Sequence, residues 1–273
     1  MPRALANGIE LEYATVGNAG DPAIVLIRGL GTQMIEWPAA MLEELVSAGL
    51  FVVIFDNRDA GLSSKLGSDY ELADMAADVI GLLDALRIDR AHVLGISLGG
   101  MVAQLVGHGY PERVRCLFSV MSSSGDPELP LAAKQIRARL LETASGREAV
   151  IRRTADNKVA FGSPDYPESE AERMAAASAA YDRCYCPDGV ARQMQAVLND
   201  GSRVARLQQI VLPTLVIHGA DDPLIPCAAG EDTARHIPAA ELQLVPGMGH
   251  NIPTALAPEL VKLIVDFIAA HHP

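Results

Sequence analysis

The sequence predicts an α/β domain with a doubly wound, mostly parallel sheet and one helical insertion, and three observations carry that reading. Six short runs rich in apolar and β-branched residues punctuate the chain, each the length of a strand buried on both faces. Segments of helical periodicity alternate with them, the signature of right-handed βαβ crossovers. One long stretch, 126–207, breaks the rhythm with Ala- and Arg-rich, helix-prone sequence and no convincing strand.

Taken in order, residues 3–16 alternate apolar and polar about Asn7-Gly8, a dipeptide suited to the positive φ angles of a two-residue turn. The chain should therefore open with a hairpin. Strands are expected at 23–27, 51–55, 92–96, 114–120, 214–218 and 241–245, and helices at 38–48, 72–86, 98–110, 228–236 and 257–270. Gly162-Ser163-Pro164 and Pro167 punctuate the insertion. The division that follows is a core of 1–125 and 208–273 with a helical cap at 126–207. With 273 residues, about half of them apolar, one large core is affordable and a second full domain is not required.

Charge narrows the partners. Lys and Arg total 22 against 34 for Asp and Glu, and the formal charge of -12 repels phosphate backbones and anionic membranes. Neither nucleic acid nor a membrane is expected as partner; a small molecule is. No stretch approaches the roughly 18 apolar residues of a membrane span, and the first eight residues lack a secretory pattern. Four scattered cysteines, Cys116, Cys184, Cys186 and Cys227, form no disulfide framework, so a reduced cytoplasm is the expected compartment. The one-residue gap in Cys184-Tyr185-Cys186 is wrong for a zinc knuckle, and no metal or other cofactor is expected. The loop Gly29-Leu30-Gly31 fails as a dinucleotide fingerprint, because Met34 stands where the third glycine belongs.

Chemistry gathers at three strand ends. Gly95-Ile96-Ser97-Leu98-Gly99 lies where a predicted strand meets a predicted helix, the context in which Gly-x-Ser-x-Gly is informative. Such a turn strains the serine backbone, holds the hydroxyl clear of the sheet and aims the helix N-terminus at any charge formed there. A serine hydroxyl is a weak nucleophile without a base. Of seven histidines, His250 alone sits in a flexible loop after the last predicted strand, Pro246-Gly247-Met248-Gly249-His250; His92, His108, His218 and His236 read as packing or surface, and His271-His272 as a tail. For an acid to orient that base, Asp221 and Asp222 both follow the penultimate strand, and either could equally open a turn. The chain order Ser, Asp, His favours a catalytic reading of one of them.

Those three segments, with Phe55 to Ser63 and Leu244 to His250, resemble the α/β-hydrolase superfamily, and within it bacterial serine esterases related to aclacinomycin methylesterase and the cofactor-free haloperoxidases. The resemblance implies the α/β-hydrolase fold and selects Asp222, three residues after the strand-end glycine, as the acid. It also assigns the oxyanion hole to the main-chain N–H groups of Leu98 and Leu30. Arg28 replaces the family's usual histidine before Gly29, and Asp59-Ala60 interrupts its usual Arg-Gly-x-Gly; Asp56 and Arg58 are read as ion-pair or turn partners. The implied activity is hydrolysis of a small to medium carboxylic ester or lactone through an acyl-enzyme on Ser97. Perhydrolysis and carbon-carbon bond hydrolysis use the same three residues, and some relatives of this fold act as small-ligand receptors. Among the cap aromatics, Tyr181, Tyr185, Phe161 and Tyr166 are candidates to line the pocket or merely to pack the cap.

Overall fold

In the computed structural model, which describes residues 2–238 and 240–271, eight strands form one sheet in the order β1-β2-β4-β3-β5-β6-β7-β8. The hairpin of β1 (Arg3–Ala6) and β2 (Ile9–Val16) turns at Asn7 and Gly8, both at positive φ, and joins the sheet antiparallel to β4. The remaining strands run parallel: β3 (Ala23–Ile27), β4 (Phe51–Phe55), β5 (Ala91–Ile96), β6 (Val114–Val120), β7 (Thr214–Gly219) and β8 (Ala240–Val245). His272 lies outside the described residues.

Two apolar layers explain why the central strands read as unbroken hydrophobic runs. On β3, Val25 and Ile27 pack under α2 (Leu72–Ala85) and α3 (Leu98–Gly109), while Ile24 and Leu26 pack under α1 (Ala39–Ser47) and α10 (Ala257–His271). The pleat sends alternate residues to opposite faces, and here both faces are covered. Among the described residues, no helix is long and apolar enough to cross a membrane.

Between β6 and β7 the chain forms α4 (Lys134–Leu141), α5 (Arg147–Ala160), α6 (Glu170–Arg183), α7 (Pro187–Asp200) and the short α8 (Val204–Leu207). Helices α5 and α6 pack as a hairpin around Ile151, Ala155 and Ala177, and Ala196 of α7 reaches the main core. By contrast α8 rests on α3 and on α9 (Ala228–His236), with Leu207 fully buried. Just before it, buried Arg203 donates to Gln104 Oε1 (2.9 Å) and the Ser123 carbonyl (2.8 Å) and pairs with Asp200 at 2.6 Å. The chain has thus rejoined the core layer by Arg203.

Candidate active site

Ser97 joins β5 to α3 at φ 55° and ψ -121°, a conformation rarely tolerated by a residue with a side chain. Its neighbours show why the turn needs glycine. A Cβ on Gly95 would lie 1.8 Å from the Gly99 carbonyl oxygen, and one on Gly99 would lie 2.2 Å from that of Ile27. The Ser97 N–H donates to the Val120 carbonyl at 2.9 Å, and the Ser97 carbonyl accepts the Gly100 N–H (2.9 Å) and the Ser122 hydroxyl (2.8 Å). These bonds hold the strained residue from both sides.

His250, reached through the turn after β8, lies between Ser97 and Asp222. Its Nδ1 stands 2.6 Å from Asp222 Oδ2 and its Nε2 3.0 Å from Ser97 Oγ. A carboxylate only accepts, so Nδ1 carries the proton, leaving Nε2 to accept from the serine hydroxyl. The other Asp222 oxygen, Oδ1, accepts the N–H groups of Leu224 (2.8 Å) and Ile225 (2.9 Å). Burial by itself would raise the Asp222 pKa. The positive charge that His250 carries when protonated, with the neighbouring N–H groups of His218, His250 and Ile225, outweighs it and holds the carboxyl well below the usual carboxylate range.

Asp221 points elsewhere: its Oδ2 accepts the Gly247 N–H at 2.8 Å and so pins the turn that leads to His250. His218, read from sequence as a packing or surface residue, is fully buried and also neighbours Asp222. Its Nε2 donates to the Ile225 carbonyl at 2.8 Å and lies 3.6 Å from Asp222 Oδ2. The spacing of four residues between His218 and Asp222, at the end of one strand, was the available signal.

The Leu30 and Leu98 N–H groups flank this centre. A Cβ on Gly29 would sit 3.2 Å from Ser97 Cβ, so the loop after β3 passes directly beside the serine. Among the described residues neither N–H has a hydrogen-bond partner, while Gly31 N–H is taken by Gln193 Oε1 at 2.8 Å. Gln193, on α7 and fully buried, also donates to the Arg58 carbonyl at 2.8 Å. On the opposite side the Phe161 carbonyl accepts the His250 N–H at 2.6 Å. Ser163 Oγ accepts the Gly249 N–H (3.0 Å) and donates to Asn251 Oδ1 (2.7 Å). The cap helices and their connections therefore touch both loops around Ser97.

Asp56 and Arg58 have structural partners, though not each other. Asp56 accepts the Met34 and Leu62 N–H groups and pairs with Arg183 at 2.7 Å, while Arg58 makes a two-point contact to Asp78 on α2 at 2.6 Å each. Three potential ligand groups, Asp126, Asp232 and His236, lie within 4.8 Å of one another. Asp232 is already engaged by Arg235 (3.0 Å) and the Ser124 hydroxyl (2.5 Å), which accounts for the cluster without an ion.

Ser97 and His250 open into a cavity of about 630 Å³ enclosed by core and cap. Its wall is chiefly aliphatic and thioether, including Met101, Met121, Met194, Leu224 and Ile252. Of the four cap aromatics named from sequence, only Phe161 lines it. Tyr181 and Tyr185 stack on each other at 4.9 Å, and Tyr166 donates to Glu259. The rings of Tyr181 and Tyr185 and the hydroxyl of Tyr166 thus find their partners away from the cavity.

The fold and this strand-end constellation define a hydrolase of the α/β class. The chain belongs to the alpha/beta hydrolase fold family, whose model matches residues 22–253. It is 28% identical to rhodomycin D methylesterase DnrP of Streptomyces peucetius, over 97% of each chain. It is also 30% identical to 3-oxoadipate enol-lactonase 2 of Acinetobacter baylyi, covering 88% of this chain and 86% of that protein. The crystal structure of the enol-lactonase from Burkholderia xenovorans LB400 superposes with a TM-score of 0.81 at 26% identity, covering 98% of this chain and 100% of that one.

Proposed function

We propose that this protein is a serine carboxylic-ester hydrolase that cleaves a small to medium ester or lactone through an acyl-enzyme on Ser97. The observation that carries the reading is the unbroken path from Asp222 through His250 to Ser97 Oγ, ending at the mouth of an apolar cavity. Similarity to a methylesterase and an enol-lactonase, both acting at an ester carbonyl, supports it.

In the proposed reaction Ser97 Oγ attacks the carbonyl carbon while His250 Nε2 takes its proton. Asp222 keeps the imidazole in the tautomer this requires and stabilises the imidazolium that forms. The N–H groups of Leu30 and Leu98 receive the developing oxyanion, a contribution of roughly 3 to 4 kcal/mol for each well-aligned donor. His250 then returns the proton to the departing alkoxide, and water repeats the sequence on the acyl-enzyme. Every proton is moved by a side chain of this protein, and the cycle needs no cofactor.

The test is turnover of p-nitrophenyl esters of increasing acyl length together with several lactones, alongside labelling by a fluorophosphonate. Labelling at Ser97 with steady turnover is the expected result. Absence of both would overturn the reading.

A further inference from the structure

Arg28 stands directly before the glycine of the Leu30 loop, and only 8% of it remains accessible. It lines the cavity beside Thr32 and Glu36. Its Nε donates to Thr32 Oγ1 and its Nη1 to the Glu36 carbonyl, both at 3.3 Å, and the guanidinium lies 4.8 Å from the centre of the Trp37 ring. Among the described residues Nη2 has no partner and no carboxylate forms an ion pair with this arginine. Glu36, whose charge acts on it, keeps its carboxylate on the Gln33 N–H at 2.7 Å. The other two charges in the cavity wall, Lys158 and Glu168, face each other at 4.0 Å and offset one another.

A guanidinium cannot shed its proton, and removing it from water without a counter-charge costs several kcal/mol. Buried arginines are therefore normally paired. This one is not, and beside it the buried Trp37 Nε1 also lacks an acceptor. A charged donor without an ion-pair partner, in the wall of the cavity that holds Ser97, defines a place for an anion. The planar fork of arginine matches a carboxylate.

We propose that Arg28 recognises a carboxylate and that the ester or lactone cleaved here carries a free carboxylate group besides its scissile carbonyl. The proposal rests on the ester-hydrolase reading of Ser97. It makes Arg28 a specificity determinant beside the oxyanion loop, and the apolar wall receives the carbon chain between the two carbonyl groups.

The experiment compares monomethyl adipate and monomethyl glutarate with their dimethyl esters. The wild type should favour the half-esters by about 30-fold in kcat/KM, the size of one charge-assisted contact. In Arg28→Met that preference should fall to near one, and Arg28→Lys should keep part of it. Because a buried arginine is being replaced, a second measurement uses the wild type alone. Glutarate should inhibit competitively while neutral glutaramide does not. Equal use of half-ester and diester by the wild type, or an undiminished preference in Arg28→Met, would overturn the role of Arg28 and leave the hydrolase reading intact. Failure to turn over any ester would overturn the hydrolase reading; calorimetric binding of glutarate, present in wild type and lost in Arg28→Met, would still test the arginine on its own.

Discussion

Gln193 holds Gly31: a buried side chain on α7 accepts, at 2.8 Å, a main-chain N–H one residue beyond Leu30, across 162 positions of sequence. Removing it leaves that N–H unpaired and frees the loop proposed to carry half of the oxyanion hole. Gln193→Ala should cost about 1–3 kcal/mol of stability. It should also lower kcat roughly 10- to 100-fold, because small displacements of aligned groups are expensive in rate. Affinity for a boronic acid inhibitor should fall in parallel with kcat while KM moves little. A rise in KM at constant kcat would contradict this.

Asp222 and Asp221 separate cleanly by contact. Asp222→Asn should lower kcat by about 10³- to 10⁴-fold, since an amide can donate to Nδ1 and stabilise the wrong tautomer. Asp221→Asn should stay within about threefold, because an amide oxygen can still accept the Gly247 N–H. Turnover of both variants on one ester, with circular dichroism to confirm folding, makes the comparison; an inverted order would relocate the acid.

The depressed pKa of Asp222 has a sign that can be measured. Its folded value lies below the unfolded value of roughly 3.9, so the ionised carboxylate stabilises the fold at neutral pH. That contribution is lost as pH falls below about 4. The stability difference between wild type and Asp222→Asn should therefore shrink as pH falls from about 4 toward 3 in urea titrations. A difference that widens in acid would show that the carboxyl is raised rather than lowered.

Close backbone approach at the Ser97 turn gives a prediction independent of chemistry. Gly99→Ala would put its Cβ 2.2 Å from the Ile27 oxygen and 2.6 Å from the Arg28 oxygen, so the loss should be at least about 1–3 kcal/mol. Gly109→Ala, at the end of the same helix with nothing within 4 Å, should be neutral or slightly stabilising. Chemical denaturation of the two variants distinguishes a local clash from a general intolerance of α3.

Much of this architecture can be read from the sequence for a definite reason. The strands at 23–27, 51–55 and 114–120 match the structure to the residue; both their faces are covered, and the first two apolar runs stop at a charged residue, Arg28 or Asp56, although burial continues past it. Ser97 and His250 were legible because a strand-to-helix glycine pattern and a glycine-rich loop leave local marks. Asp222 was not separable from Asp221 by local chemistry, since both are carboxylates in one turn and only the direction of the side chains divides them. Gln193 and Ser163 carried no mark at all. Each is an ordinary polar residue on or beside a helix, and its significance arises from a partner more than 80 positions away. The cap aromatics left two readings open for the same reason: composition reports that they are present, whereas stacking and hydrogen bonds decide that the three tyrosines pack and Phe161 lines the cavity.

The contacts of Gln193 and Ser163 bear on how such a protein could be modified. An insertion that merely shades a pocket could be exchanged as a cassette to redirect specificity. Here a transplanted segment would also have to supply an acceptor for the Gly31 N–H and a hydroxyl for the Gly249 N–H, or the recipient would lose rate along with its old preference. Substrate range is therefore more readily redirected by point changes on the inner wall, at Met194 or Phe161, than by grafting, because those side chains line the cavity while the two supporting bonds stay in place.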